Sequence, residues 1–149
     1  VPYWFIVFAL MALPVVGINP PPADYDWYLA QRRPGWLRSQ MLQPLLWLLL
    51  YGCLYAVALR LWQAQPGLAS IGGVLLLLLL IEGSTWLFCR NRRFGVGVAG
   101  RLVAWLWCLG LALTLPAAVA PAPLLLLPLL VWLPLEALGL WQMRRLNQR

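Results

Sequence analysis

Apolar residues fall into five long runs, separated by short polar or proline-rich breaks. The first covers Val1 to Ile18. Pro20, Pro21 and Pro22 end it, because proline lacks an N–H and cannot continue a helical ladder. A polar segment from Ala23 to Gln40 follows, the longest in the chain. The second run extends from about Met41 to Trp62, and Gln63 to Gly67, containing Pro66, is a tight turn. The third goes from Leu68 to about Cys89 and includes six consecutive leucines, Leu75 to Leu80. Arg90-Asn91-Arg92-Arg93 forms a basic loop, the fourth run goes from about Phe94 to Ala118, and a hinge with Pro121 and Pro123 leads to the fifth, Leu124 to Met143. About 20 mostly apolar residues span a bilayer as a helix. The pattern predicts an all-α membrane protein, a bundle of five transmembrane helices in one integral domain over residues 1–149. A cleaved signal peptide is the alternative for the first run; the lack of a basic start favours a retained helix.

Charge gives the bundle a direction. Five spans put Arg32, Arg33, Arg38, Arg90, Arg92, Arg93, Arg144, Arg145 and Arg149 on one side, with Arg101 a little further along the fourth run. Only Arg60 falls on the other side. Cytoplasmic loops collect arginine and lysine, so the C-terminus is expected in the cytoplasm and the N-terminus outside. An even number of spans would scatter the asymmetry. Trp4, Trp27, Trp36, Trp62 and Trp141 fall at expected interfaces, where indole rings are favoured. Trp47, Trp86, Trp105, Trp107 and Trp132 lie deeper, to be read as lipid or helix contacts or as walls of an aromatic pocket.

Composition excludes several classes. Hydrophobic residues make up 63% and charged residues 10%, against roughly 45–50% and about 25% in soluble domains. Net charge is +7, but the arginines sit at run ends, which argues for membrane orientation and against nucleic-acid binding. Histidine is absent, and Cys53, Cys89 and Cys108 lack metal-ligand spacing. Gly95 to Gly100 matches G-x-G-x-x-G, yet dinucleotide binding needs a preceding strand. Gly100 and Ala99 are better read as small residues for close helix packing. Two carboxylates, Glu82 and Glu136, lie inside spans. An ionised group at the bilayer centre costs at least about 2.5–3.5 kcal/mol. Each is expected either to bond a backbone carbonyl or hydroxyl, with Ser84 and Thr85 at hand, or to contact a ligand. No nucleophile–base pair accompanies them, so an enzyme, such as one aiding light- or oxygen-dependent porphyrin breakdown, ranks below a binding protein.

Trp27-Tyr28, Arg33-Pro34, Trp36, Pro44, Trp47 and Tyr51 resemble the first loop and second helix of the TspO/translocator protein family, the tryptophan-rich sensory proteins. Pro128, Trp132 and Arg145-Leu146-Asn147 resemble its fifth helix. Departures are Arg38 and Ser39 at paired prolines, Met41 at a tryptophan, Leu79 and Gly83 at amides, Leu129 at a tyrosine, Leu140 at an asparagine and Glu136 at a small residue. The resemblance implies a five-helix bundle, often a homodimer, with a pocket beneath the first loop for porphyrin or haem-type tetrapyrroles, sterols or other flat lipophiles. It implies sensing or transport as the role. Trp47 and Trp132 would wall the pocket, with Tyr51 one turn beyond Trp47. Tyr28, Pro34 and Trp36 would belong to the lid, Glu136 would intrude at the wall, and Glu82 would replace a lost amide. Porphyrin propionates would suit Arg32 or Arg33. No cofactor is required; porphyrin or haem would enter as ligand. Membrane lipids and a second copy are the expected partners. The bacterial inner membrane is the expected location, with the mitochondrial outer membrane as alternative. The altered pocket positions keep a second function open, a ligand-free accessory subunit of a larger membrane complex.

Overall fold

The computed structural model describes residues 1–37, 42–115 and 122–148. Arg38, Ser39, Met41, Pro121 and Arg149 lie outside the described residues, as does the end of the fourth run at Ala118. Among the described residues six α-helices follow one another: α1 (Tyr3–Gly17), α2 (Pro22–Ala30), α3 (Leu42–Ala64), α4 (Leu68–Asn91), α5 (Phe94–Thr114) and α6 (Ala122–Leu146). A 3₁₀ turn, Gly35–Leu37, lies between α2 and α3. No strand occurs among the described residues.

Four helices, α3 to α6, are each long and apolar enough to cross a membrane. α1 has 15 residues and a length of about 22 Å, short of a hydrocarbon core about 30 Å thick. It becomes a fifth span when taken with α2, which turns 74° from it. The triple proline makes this bend. Pro21 caps α2 and Pro22 opens it, the position where a missing N–H costs nothing. α5 stops at Thr114, before the apolar run ends, because Leu115 precedes Pro116 and is held extended (φ −61°, ψ 135°). α6 starts earlier than expected and takes Pro123 into its first turn. Gly67 has φ 133°, a conformation glycine accepts readily, and this turns α3 into α4.

The helices close a ring in the order α1, α3, α6, α5, α4, with α3 and α4 also touching. Tyr55 donates to the Trp4 carbonyl (2.9 Å) and Gln63 to the Tyr3 hydroxyl (2.6 Å), fixing α1 on α3. Leu50, Leu54, Ile71, Leu77, Leu78, Leu126, Leu129 and Leu133 fill the interior. Leucines also cover the outside, among them Leu45, Leu48, Leu113 and Leu124, as expected where lipid replaces water.

G-x-G-x-x-G lies within helix α5. A methyl group at Gly100 would strike Ser84 on α4, and one at Gly97 would crowd Leu140 and Phe88. These glycines let α5 approach its neighbours closely. Ala99, expected to share that role, is exposed instead. α6 contains Pro128 and Pro134. Pro134 removes the N–H that would serve the Leu130 carbonyl one turn back. Trp105 Nε1 on α5 donates to that carbonyl at 2.9 Å, which restores the bond from a neighbouring helix. Trp107 likewise donates to the Gly73 carbonyl at 2.9 Å.

Candidate ligand-binding site

A cavity of about 730 Å³ lies under α2, between α3, α4, α5 and α6. α2 closes it through packing that the polar character of Ala23–Gln40 conceals. Trp27 meets Phe94 (ring centroids 5.3 Å apart) and Phe88 (5.8 Å), and Tyr28 meets Phe88 edge-on (5.3 Å). Asp24 reaches Arg90 (3.8 Å) and Arg92 (3.7 Å) at the end of α4. Asn147, just beyond α6, pairs with the Arg32 backbone in both directions, each bond 3.1 Å. The asparagine of the C-terminal motif therefore ties the loop to α6.

Trp47 and Tyr51 lie four residues apart, one helical turn, so they share a face of α3. Their rings tilt together at 5.4 Å and line the cavity. Tyr51 donates to Glu82 Oε1 across from α4. Ser84 and Thr85, expected as partners for Glu82, bond elsewhere: both hydroxyls donate to the Ile81 carbonyl and both accept from Arg101. Glu82 projects from α4 toward Tyr51, while Ser84 and Thr85 serve the side facing α5.

Arg101 organises the floor of the cavity. It is 5% exposed, well inside the helix where orientation counting placed it among the cytoplasmic arginines. Its Nη1 donates to the Ile81 carbonyl (2.8 Å) and Ser84 Oγ (3.0 Å). Its Nη2 donates to Thr85 Oγ1 (2.5 Å) and pairs with Glu136 Oε1 on α6 (3.0 Å). The guanidinium carbon also lies 5.6 Å from the Trp47 ring, within cation–π range. Sequence reasoning missed Arg101 as a site residue. The signal was present: an acid on one membrane helix needs a partner, and Arg101 is the arginine deepest inside a span.

The structure brings Tyr28, Trp47, Tyr51, Glu82 and Glu136 to this cavity, together with Arg33 and Arg101. Pro34 and Trp36 lie apart from them. They line a second groove of about 600 Å³ with Arg32, Trp141, Gln142 and Arg145, and Trp36 Nε1 donates to Gln142 (3.0 Å). Trp132 lies beside Trp36, edge-on with centroids 6.5 Å apart, outside the set of side chains that line the main cavity. Its Nε1 is buried without a hydrogen-bond partner, as is Oε2 of Glu136 one turn further along α6.

The family model for the TspO/MBR family matches residues 3–146. The chain belongs to the TspO/MBR family. A search of curated proteins gives no match. Membership agrees with the helical architecture and with an integral membrane protein. Within this TspO/MBR scaffold, the Arg101–Glu136 pair and the Glu82–Tyr51 bond give the cavity a polar floor beneath aromatic walls.

Proposed function

We propose that this TspO/MBR protein binds a flat hydrophobic ligand, a porphyrin or haem-type tetrapyrrole or a sterol-like lipid, for sensing or transport. The observation that carries this reading is the cavity under α2, of about 730 Å³ and walled by Trp47, Tyr51 and Tyr28. Aromatic faces suit flat ligands, and a cavity of a few hundred Å³ or more is the usual scale of small-molecule sites. Burial of apolar surface stabilises by about 25 cal/mol per Å² when the ligand leaves water. A ligand arriving from lipid gains less, so ring contacts and the polar floor must supply the discrimination. Tyr28, Trp47, Tyr51, Glu82 and Glu136 form the binding set, with Arg33 at the lid. Pro34, Trp36 and Trp132 contribute by holding the loop against α6. A second copy of the chain is the expected membrane partner.

Titration of purified protein with protoporphyrin, followed by tryptophan quenching, tests the reading. Saturable quenching that weakens in Trp47→Phe is expected. Absence of saturable quenching overturns it and leaves the ligand-free accessory subunit.

A further inference from the structure

We propose that the ligand of this cavity presents a protonated nitrogen or a charged N–H donor to Glu82. The inference rests on the reading of the cavity as a ligand site and names the chemistry of the group that reaches its floor.

The argument begins with donors and acceptors. Each terminal guanidinium nitrogen of Arg101 has two N–H groups. Those four are matched by the Ile81 carbonyl, Ser84, Thr85 and Glu136. Arg101 therefore has no terminal donor left for an anionic ligand; of its five N–H groups only the buried Nε–H is without a partner. Glu136 is matched in charge by Arg101. Glu82 is different. It lines the cavity and accepts one bond, from Tyr51 to Oε1, whereas a carboxylate has about four acceptor positions. Among the described residues no cation pairs with it; Arg101 pairs with Glu136. The floor thus holds two acids against one base; both acids line the cavity, and Glu82 is the one without a charge partner.

The walls act in the same direction. Trp47 and Tyr51 line the cavity beside Glu82, their rings packed at 5.4 Å, and an aromatic lining accepts an organic cation more readily than a purely aliphatic one. A carboxylate without a charge partner, an arginine whose terminal donors are all engaged and aromatic walls together favour a lipophilic cation over a neutral ligand of the same shape, and disfavour an anion at this depth. An acidic group on the same ligand is left to Arg33, which lines the cavity and whose Nε is buried without a partner.

Three planar probes of matched shape test this in detergent at neutral pH: 9-aminoacridine (cation), acridine (neutral) and acridine-9-carboxylate (anion). Affinities are read from saturable tryptophan quenching in wild type and Glu82→Gln and corrected for each probe's partition into protein-free micelles, so that probes as well as proteins can be compared. In wild type the cation is expected to bind about tenfold or more tightly than acridine, the scale of one charge-assisted hydrogen bond. In Glu82→Gln that preference for cation over neutral probe is expected to vanish. Glutamine keeps the shape and can still accept from Tyr51. Should the variant not fold, the wild-type order of cation, neutral, anion decides. Saturable binding with no cation preference, or with a preference that Glu82→Gln leaves unchanged, overturns the inference and spares the ligand site. No saturable binding of any probe overturns the ligand site itself.

Discussion

Arg101 and Glu136 form an ion pair at 3.0 Å with side chains 7% and 14% exposed. Interhelical hydrogen bonds between neutral groups in bilayers average only about 0.6 kcal/mol. An ion pair with one partner removed is a different case, because the survivor is an uncompensated charge in a poor solvent. Breaking a buried pair from one side costs about 3–5 kcal/mol, whereas replacing both members by apolar residues of similar volume is often neutral or stabilising. Glu136→Gln and Arg101→Met are therefore each expected to lower the thermal midpoint in detergent substantially, and the double variant Arg101→Met/Glu136→Leu to recover most of the loss. Asp24→Asn is the contrast. Its partners Arg90 and Arg92 are 59% and 53% exposed, and such pairs contribute about 0–1 kcal/mol. A double variant as unstable as the worse single one would show that Arg101 is held by Ser84, Thr85 and the Ile81 carbonyl rather than by its charge partner.

Pro134 and Trp105 show how one helix repairs another. The Leu130 carbonyl loses its intrahelical donor to Pro134 and gains the Trp105 indole at 2.9 Å. Trp105→Phe leaves that carbonyl unpaired and is expected to cost about 1–3 kcal/mol. Pro134→Ala returns a backbone N–H to the ladder, so Trp105→Phe in that background should cost clearly less. A thermal-melting double-mutant cycle measures the coupling; equal costs in both backgrounds would remove the repair. This interaction also marks the limit of what the chain's pattern reveals. Spans are legible because hydropathy is summed over about 20 residues, and α3, α4, α5 and α6 begin within two residues of where the runs do. Their ends drift for local reasons, as at Leu115 before Pro116. α2 was hidden because its helix is stabilised by Trp27 and Tyr28 on Phe88 and Phe94, contacts between residues about 60 apart that no local pattern records. Trp47, Tyr51 and Tyr28 were legible as cavity residues through the motif. Trp132 was legible by position but not by direction, since packing on Trp36 decides which way the indole turns. Arg101 resembled its cytoplasmic neighbours until its partners on α4 and α6 were placed.

Among the described residues, the arginines near helix ends gather at one end of the bundle, Arg60 excepted. Asp24 joins Arg90 and Arg92, and Asn147 joins Arg32, so the α2 loop, the α4–α5 turn and the end of α6 share that end. Arg33, Arg93, Arg144 and Arg145 accompany them in sequence, while Arg60 lies near the other end of α3. The cavity sits under α2 and so belongs to the arginine-rich end. By the positive-inside rule that end is expected to face the cytoplasm. A fluorescent-protein fusion after residue 148 is expected to glow, and an alkaline phosphatase fusion there to be inactive. Phosphatase inserted in the turn between α3 and α4 should be active. The reverse pattern would place the cavity mouth outside the cell. Cause can be separated from correlation by moving charge. Arg90, Arg92 and Arg93 changed to Gln, with three arginines added in the turn after Ala64, should shift a measurable share of molecules to the inverted topology, because short-loop basic residues carry the orienting signal. Arg101 should have no part in this shift. Its charge is paired inside the bundle with Glu136, so Arg101→Met with Glu136→Leu should leave the fusion pattern unchanged, separating the arginine that builds the cavity from those that orient the molecule.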